Sequence, residues 1–343
     1  MEIKLSAIDQ VWVSNIPEYK EDKIRNKAYF SYGDDNKWPN YLYSLYTDVV
    51  TLNTCVNAQT DYVLGNGIQN DFEVNKTGEM LSDLLRKCAF DLSLYGGFSV
   101  QVIRDLIGRV SEVYWLDFKN VRTNEKHTEF WYSDSWDKWN SKAIKYPAYD
   151  PEINDPEIND PSSVLWVKSF GSSVYPICPF NGAVISCEIE KSINKYHLNE
   201  IKNNFCGNAI INFNNGQPNA EQKDEIEGLL NQKFSGDDNA GRILISYNDS
   251  KDNAVTVEKL SEDNLDERYT SLATRSKNQI YGAFRISPQL IGDTSAATGF
   301  NTQEYLESFK VYNRTVIRPI QKILLKAFSK LYDEIIINPF SLE

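Results

Sequence analysis

The chain has 343 residues, long enough for a sizeable core and about one to three domains, and its formal charge is −12. That charge argues against a tight sequence-independent grip on nucleic acid, which needs Lys and Arg to displace counterions from phosphates. It leaves open a surface past which a duplex slides without being held.

Residues 1–37 are polar and broken and read as an extended arm. A helical region begins at Trp38-Pro39, with Leu42, Leu45, Val49, Leu52, Val56 and Val63 at compatible spacing, and ends at Gly65 and Gly67. A second helix is expected over 79–95, with Met80, Leu84, Leu85, Cys88 and Leu92 on one side. Gly96-Gly97 ends it and opens a hairpin, Phe98–Arg104 and Val110–Leu116, turning through Asp105 and Gly108. Strand-like runs follow at Glu129–Tyr132 and Val164–Phe170. Between them Asp150–Pro161 repeats five residues in tandem, and its prolines and asparagines make it an exposed loop.

A helix of about 35 Å is expected from Ala183 to about Phe205. The strand Ala209–Phe213 then leads to a shorter helix burying Ile226, Leu229, Leu230 and Phe234. Strands Arg242–Tyr247 and Val255–Leu260 complete a compact insert. From Leu265 the apolar positions Tyr269, Leu272, Ala273, Ile280 and Phe284 recur at helical spacing until Pro288 stops the helix. The stretch Gly292–Asn301 has little to bury. Asn301, with Glu304 three residues on, caps a last helix over 302–333 whose face runs through Leu306, Phe309, Val316, Ile320, Ile323, Leu324, Phe328 and Leu331. At about 48 Å it is longer than a compact domain needs. Pro319 inside it crowds the carbonyl of Thr315, so a kink is expected.

No arrangement for catalysis emerges. The chain has no P-loop, Gly-x-Ser-x-Gly, HExxH or GxGxxG. Five cysteines form no CxxC pair, and His127 and His197 lack neighbours at ligand spacing, so neither metal nor cofactor is expected. His127 reads as solvated and His197 as a polar-face or interface residue. Buried thiols fit a reducing cytoplasm. The N-terminus lacks a signal-peptide core, and no run of about 18 apolar residues suggests a membrane span. Glu188 with Glu190, or Glu225 with Glu227, stand two apart on helices and do not converge. Trp131, Trp136 and Trp139 could make a sugar-binding platform, as in a carbohydrate-active enzyme, although such clusters more often fill a small core or a subunit contact.

The run Ile280-Tyr-Gly-Ala-Phe-Arg-Ile-Ser-Pro-Gln-Leu-Ile-Gly292, the small polar loop, Asn301 with Glu304, then Phe309 and Val316-Ile-Arg-Pro319 resembles the portal proteins of tailed bacteriophages. The Gly96-Gly97 hairpin and Trp115-Leu-Asp extend the resemblance. It implies an α+β portal-like fold: N-terminal arm 1–37, wing 38–182, stem helix 183–207, clip 208–261, second stem helix 262–290, tunnel loop 291–301, and crown helix with C-terminal strand 302–343. It further implies a non-enzymatic subunit of a twelve-copy ring at one capsid vertex, made in the host cytoplasm. Its partners would be the terminase large subunit, a head–tail adaptor, the major capsid protein and double-stranded DNA passing through, with no membrane.

On that resemblance Asp293, Thr294, Ser295, Thr298 and Asn301 face the DNA channel. Tyr269, Leu272, Phe284, Phe309, Ile320 and Phe328 make subunit contacts, and Leu229, Leu230, Phe234 and Val255 present the clip to partners. Another head–tail connector or baseplate subunit would share the acidic charge and aromatic interfaces. The helix–loop–helix wording favours the portal.

Overall fold

The computed structural model describes residues 20–21, 27–136, 142–152, 161–171, 174–202, 209–213, 219, 243–247, 265–293 and 302–340. The chain divides into two compact units, residues 1–184 with 280–343, and residues 185–279.

The first unit opens with α1 (Trp38–Asp48), whose first turn takes Pro39 where its missing donor is not needed. The helix does not run on to Gly65 as the periodicity suggests. Val49 is extended, with φ −113° and ψ 109°, and the chain restarts as α2 (Val50–Leu64). The β-branched run Val49-Val50-Thr51 is stiff at χ1, and a break there keeps the Val49 side chain fully buried.

Helix α3 (Leu81–Tyr95) ends on Gly96 in the left-handed region, where a Cβ would stand 2.6 Å from the Ile177 carbonyl oxygen. That glycine fixes the turn into β1 (Gly97–Arg104), the central strand of an antiparallel sheet with β2 (Val110–Trp115) on one side and β6 (Ser162–Lys168) on the other. A second antiparallel sheet is built from β3 (Val121–Thr123), β4 (Glu129–Tyr132) and β5 (Ile144–Pro147). A parallel bridge between Ala148 and Val164 joins the two sheets over a small core of Leu116, Val121, Phe130 and Val164.

Tyr32 and Phe30, from the expected arm, pack on the rest of the first unit. The ring of Tyr32 stacks on Tyr175 at 4.1 Å, and the Phe30 amide donates to the Thr123 carbonyl. Among the described residues, Trp131 and Trp136 are packed against neighbours and do not lie side by side as an open platform. Tyr29 stands 5.4 Å from Trp131 and 5.2 Å from Trp136, and the Arg122 guanidinium lies over Trp136 at 4.9 Å. These rings fill each other's faces, while Trp139 and residues 153–160 of the tandem repeat lie outside the described residues. His127 also departs from expectation. It is half-buried, stacks on Trp166 at 4.6 Å and meets the Val174 carbonyl at 2.8 Å, and its burial lowers its pKa.

The second unit is built on α4 (Val184–Lys202) and α5 (Leu265–Phe284), which carry the chain in from the first unit and back. Within the second unit the two helices are antiparallel: Ser186 Oγ donates to Gln279 Oε1 at 2.7 Å, and Tyr196 stacks on Tyr269 at 4.7 Å. Strands β7 (Ala209–Phe213) and β8 (Ile243–Tyr247) pair in parallel. The helix expected around 222–234 and the strand at 255–260 lie outside the described residues.

The last helix belongs to the first unit and runs as α6 (Thr302–Tyr312), a π-helical turn Asn313–Ile317, and α7 (Arg318–Phe328). The Arg318 amide reaches back five residues to the Asn313 carbonyl, so the stretch before Pro319 widens by one residue. A kink is expected at Pro319; the structure has a π turn that ends at Ile317, two residues before it. The helix stops at Phe328, five residues short of the expected end. Helix α7 lies against α2 and α3, and Phe328 stacks on Phe98 with ring centroids 6.0 Å apart.

Candidate functional site: the anchored loop between two helices

The loop expected to face a channel is held at both flanks by tyrosines. Helix α5 ends at Phe284, because Arg285 has φ +54° and the chain then extends into Pro288. A 3-10 turn, Pro288–Ile291, closes on Gly292, and the Asp293 amide returns to the Pro288 carbonyl at 2.9 Å. The Tyr281 hydroxyl donates to Asp293 Oδ2 at 2.7 Å. Residues 294–301, including Thr294, Ser295, Thr298 and Asn301, lie outside the described residues.

Tyr62 of α2 connects the two flanks. Its hydroxyl donates to the Leu290 carbonyl at 2.8 Å and stands 3.2 Å from the Tyr305 hydroxyl on α6. Its ring meets Phe309 at 5.7 Å, Tyr312 at 5.8 Å and Phe340 at 5.1 Å. Burial, then the Tyr305 hydroxyl, raises the Tyr62 pKa, so the phenol stays protonated and keeps its donor. Asn338 exchanges backbone hydrogen bonds with Asn66 and Gly67, and Ile337 pairs with Ile68, so the C-terminal stretch clips onto the end of α2. The sequence reading passed over Tyr62, Tyr281 and Tyr305. Their signal was the 20 tyrosines of the chain, which composition alone cannot assign.

The residues expected at subunit contacts separate into two groups. Phe284 and Phe328 are 2% and 0% exposed, the first stacked on Phe180 and the second on Phe98, so both belong to the protomer's own core. A side chain enclosed in this way by its own fold has little area left for a neighbour. Phe309 is half-buried against Tyr62 and Phe340, and Ile320 is half-buried and lines a cavity open to the surface. Tyr269 is half-buried against Tyr196 and His197. Leu272 remains open at 41%, together with Ile185 at 63%, Leu198 at 52% and Val311 at 64%. The clip residues Leu229, Leu230, Phe234 and Val255 lie outside the described residues.

Two ionisable side chains, Arg122 and Asp91, are buried within the first unit. Arg122 is fully enclosed, and its guanidinium donates to the carbonyls of Lys119 at 2.8 Å, Val121 at 2.9 Å and Asn36 at 2.6 Å; burial lowers its pKa to about 10. Asp91 on α3 accepts from the Trp115 indole at 2.8 Å, while its Oδ1 is buried without a hydrogen bond, and burial raises its pKa. Among the described residues, no three His, Cys, Asp or Glu side chains gather as metal ligands, and no helix is long and apolar enough to cross a membrane.

Comparison with known proteins places this architecture. A chain in the neck of a native GTA particle computed with C12 symmetry superposes with a TM-score of 0.56 at 14% identity, covering 87% of this chain and 83% of that one. A chain of the virion of a native gene transfer agent particle gives a TM-score of 0.53 at 15% identity, covering 88% and 84%. At such identities the likeness is one of fold. An uncharacterized protein of Rickettsia felis is 28% identical over 137 residues, a stretch that spans 39% of this chain and 34% of that relative. The family model for phage portal proteins matches residues 77–337, more than half of the sequence, and the chain belongs to that family.

Proposed function

We propose that the chain is a ring-forming portal subunit that lines a passage for double-stranded DNA at one vertex of a capsid. The family match over 77–337 carries this reading. Twelve copies are favoured by the fold it shares with a chain of a neck computed with C12 symmetry. The same reading gives the subunit a place in a virion, with the major capsid protein around it, a terminase large subunit docking during packaging and a head–tail adaptor replacing it later. The work is mechanical guidance rather than catalysis.

The charge of −12 supports passage without grip, since a duplex meets few cations able to hold its phosphates. The anchored flanks of the 291–301 loop support its role as the segment that touches DNA. A loop tied to α2 through Tyr62 at Leu290 and Tyr305 transmits force to the helical scaffold instead of trailing from it. For the ring contacts we favour Ile185, Leu198, Leu272 and Val311, apolar side chains on helices that a lone protomer leaves in water. Negative-stain imaging of the purified protein tests the proposal. Closed rings with a central hole are expected, and a solitary protomer at micromolar concentration under virion-like conditions would overturn it.

A further inference from the structure

We infer that a row of exposed cations on the last helix is a sequence-independent binding site for the phosphate backbone of double-stranded DNA. Lys310, Arg314, Arg318, Lys322, Lys326 and Lys330 recur at every fourth residue, and no Asp or Glu stands between Glu307 and Asp333. All of them are exposed, and none forms an ion pair among the described residues. In a chain of charge −12 the row is a local concentration of positive charge.

The backbone keeps these cations in line. Successive members rise about 6 Å along an α-helix, so the row is about 30 Å long, close to one turn of B-DNA. Every fourth residue of an α-helix also advances about 40° around the axis. The π turn Asn313–Ile317 is wider and turns less per residue, so it takes back part of that drift in the middle of the row. On the opposite face Tyr312, Val316, Leu324 and Phe328 are buried, and α7 lies against α2 and α3. Lys330 follows the end of α7, where its carbonyl accepts from the Tyr149 hydroxyl at 3.0 Å. A packed helix rather than a loop therefore presents the charges.

A linear polyanion fits this row better than a folded acidic protein does. Protein contacts are built on a core depleted in charge, with the polar groups at the rim. Phosphates need only regularly placed cations on long side chains, and such contacts carry no base readout. On the portal reading, duplex DNA is the polyanion that the subunit meets, and the row is a contact separate from the 291–301 loop.

Fluorescence anisotropy of a labelled duplex of about 30 base pairs, near three turns, tests the site on the full-length protein. The logarithm of the binding constant is expected to fall with the logarithm of salt at a slope of about −5 or steeper. Arg314→Gln with Arg318→Gln and Lys322→Gln should flatten the slope by about 3 and weaken binding about tenfold or more, with an unchanged thermal midpoint. Lys126→Gln with Lys142→Gln, at exposed cations elsewhere, should change affinity by no more than about twofold. Bound duplex should shield Lys322 and Lys326 from acetylation, read by peptide mass spectrometry, and leave Lys126 reactive. No binding at low salt, wild-type affinity in the triple variant, or an equal loss in the Lys126, Lys142 variant overturns the inference. So does protection of the row by poly-glutamate and not by duplex, the result expected of a site for an acidic protein. Negative-stain images of the same samples keep the two readings apart. Rings that bind no duplex sink the site alone, and solitary protomers that bind duplex through the row sink the ring alone.

Discussion

The Tyr281 hydroxyl donates to Asp293 Oδ2 at 2.7 Å, joining the last turn of α5 to the residue that opens the loop. The Asp293 carboxylate thereby ties its end of the loop to α5, and charge-assisted bonds of this kind are among the stronger ones.

Tyr281→Phe removes that bond and keeps the ring. The fold is expected to survive with a loss of about 1–2 kcal/mol in urea denaturation. Amide exchange at Leu290–Asp293 should accelerate, while α3 keeps its protection. Unchanged exchange in the 3-10 turn would show that the bond does not fix the loop.

Asp91 makes stability depend on pH in a direction opposite to most carboxylates. Its pKa is raised in the folded state, so above about pH 4 the folded chain binds more protons than the unfolded one. Its contribution is full below the unfolded pKa and declines as pH rises towards the folded pKa, at up to about 1.4 kcal/mol per unit. Asp91→Asn keeps an acceptor for Trp115 and removes the ionisation. The variant is expected to match the wild type near pH 4 and to exceed it at pH 8. Parallel stability curves for the two proteins would sink the assignment.

Periodicity made the long helices legible because their buried faces repeat over several turns: α3, α4 and α5 begin and end within a few residues of expectation. It failed where tertiary packing decides. Val49 sits in phase with its neighbours, yet the chain breaks there. Strands β3 and β5 are three and four residues long, too short for an alternation to register. Phe284 and Phe328 were correctly placed on apolar faces, but a helical pattern says that a face is covered and not by which molecule. Arg122 escaped notice for the opposite reason: an arginine is ordinarily solvated, and only the fold shows three carbonyls around it.

Arg122→Met tests how far that buried guanidinium stabilises the β3 sheet. The methionine fills part of the volume but leaves the Lys119, Val121 and Asn36 carbonyls without the donor they meet now. A loss of about 3 kcal/mol or more is expected in denaturant unfolding, with a change in Trp136 fluorescence as its cation–π partner goes. Arg122→Lys should recover only part of it, since a single ammonium cannot span three separated carbonyls. A near-neutral Arg122→Met would mean that desolvation of the charge cancels its hydrogen bonds.

Core and contact residues can be separated by how each variant fails. Ile185→Glu with Leu272→Glu alters side chains that face water in the protomer, so the change in protomer stability should stay within about 0.5 kcal/mol per site. If these positions meet a neighbouring copy, the double variant buries unpaired charge at every contact of the ring, and sedimentation should show folded protomers in place of large assemblies. Phe328→Ala removes a ring stacked on Phe98 inside the first unit and is expected to cost about 3–5 kcal/mol in thermal or denaturant unfolding. Any assembly lost in that variant should follow protomer unfolding and return under stabilising conditions. The charged pair should not recover in this way, because its defect lies between copies. Intact rings from the Ile185→Glu, Leu272→Glu protein would move the contact to other surfaces, with Leu198 and Val311 next to be changed.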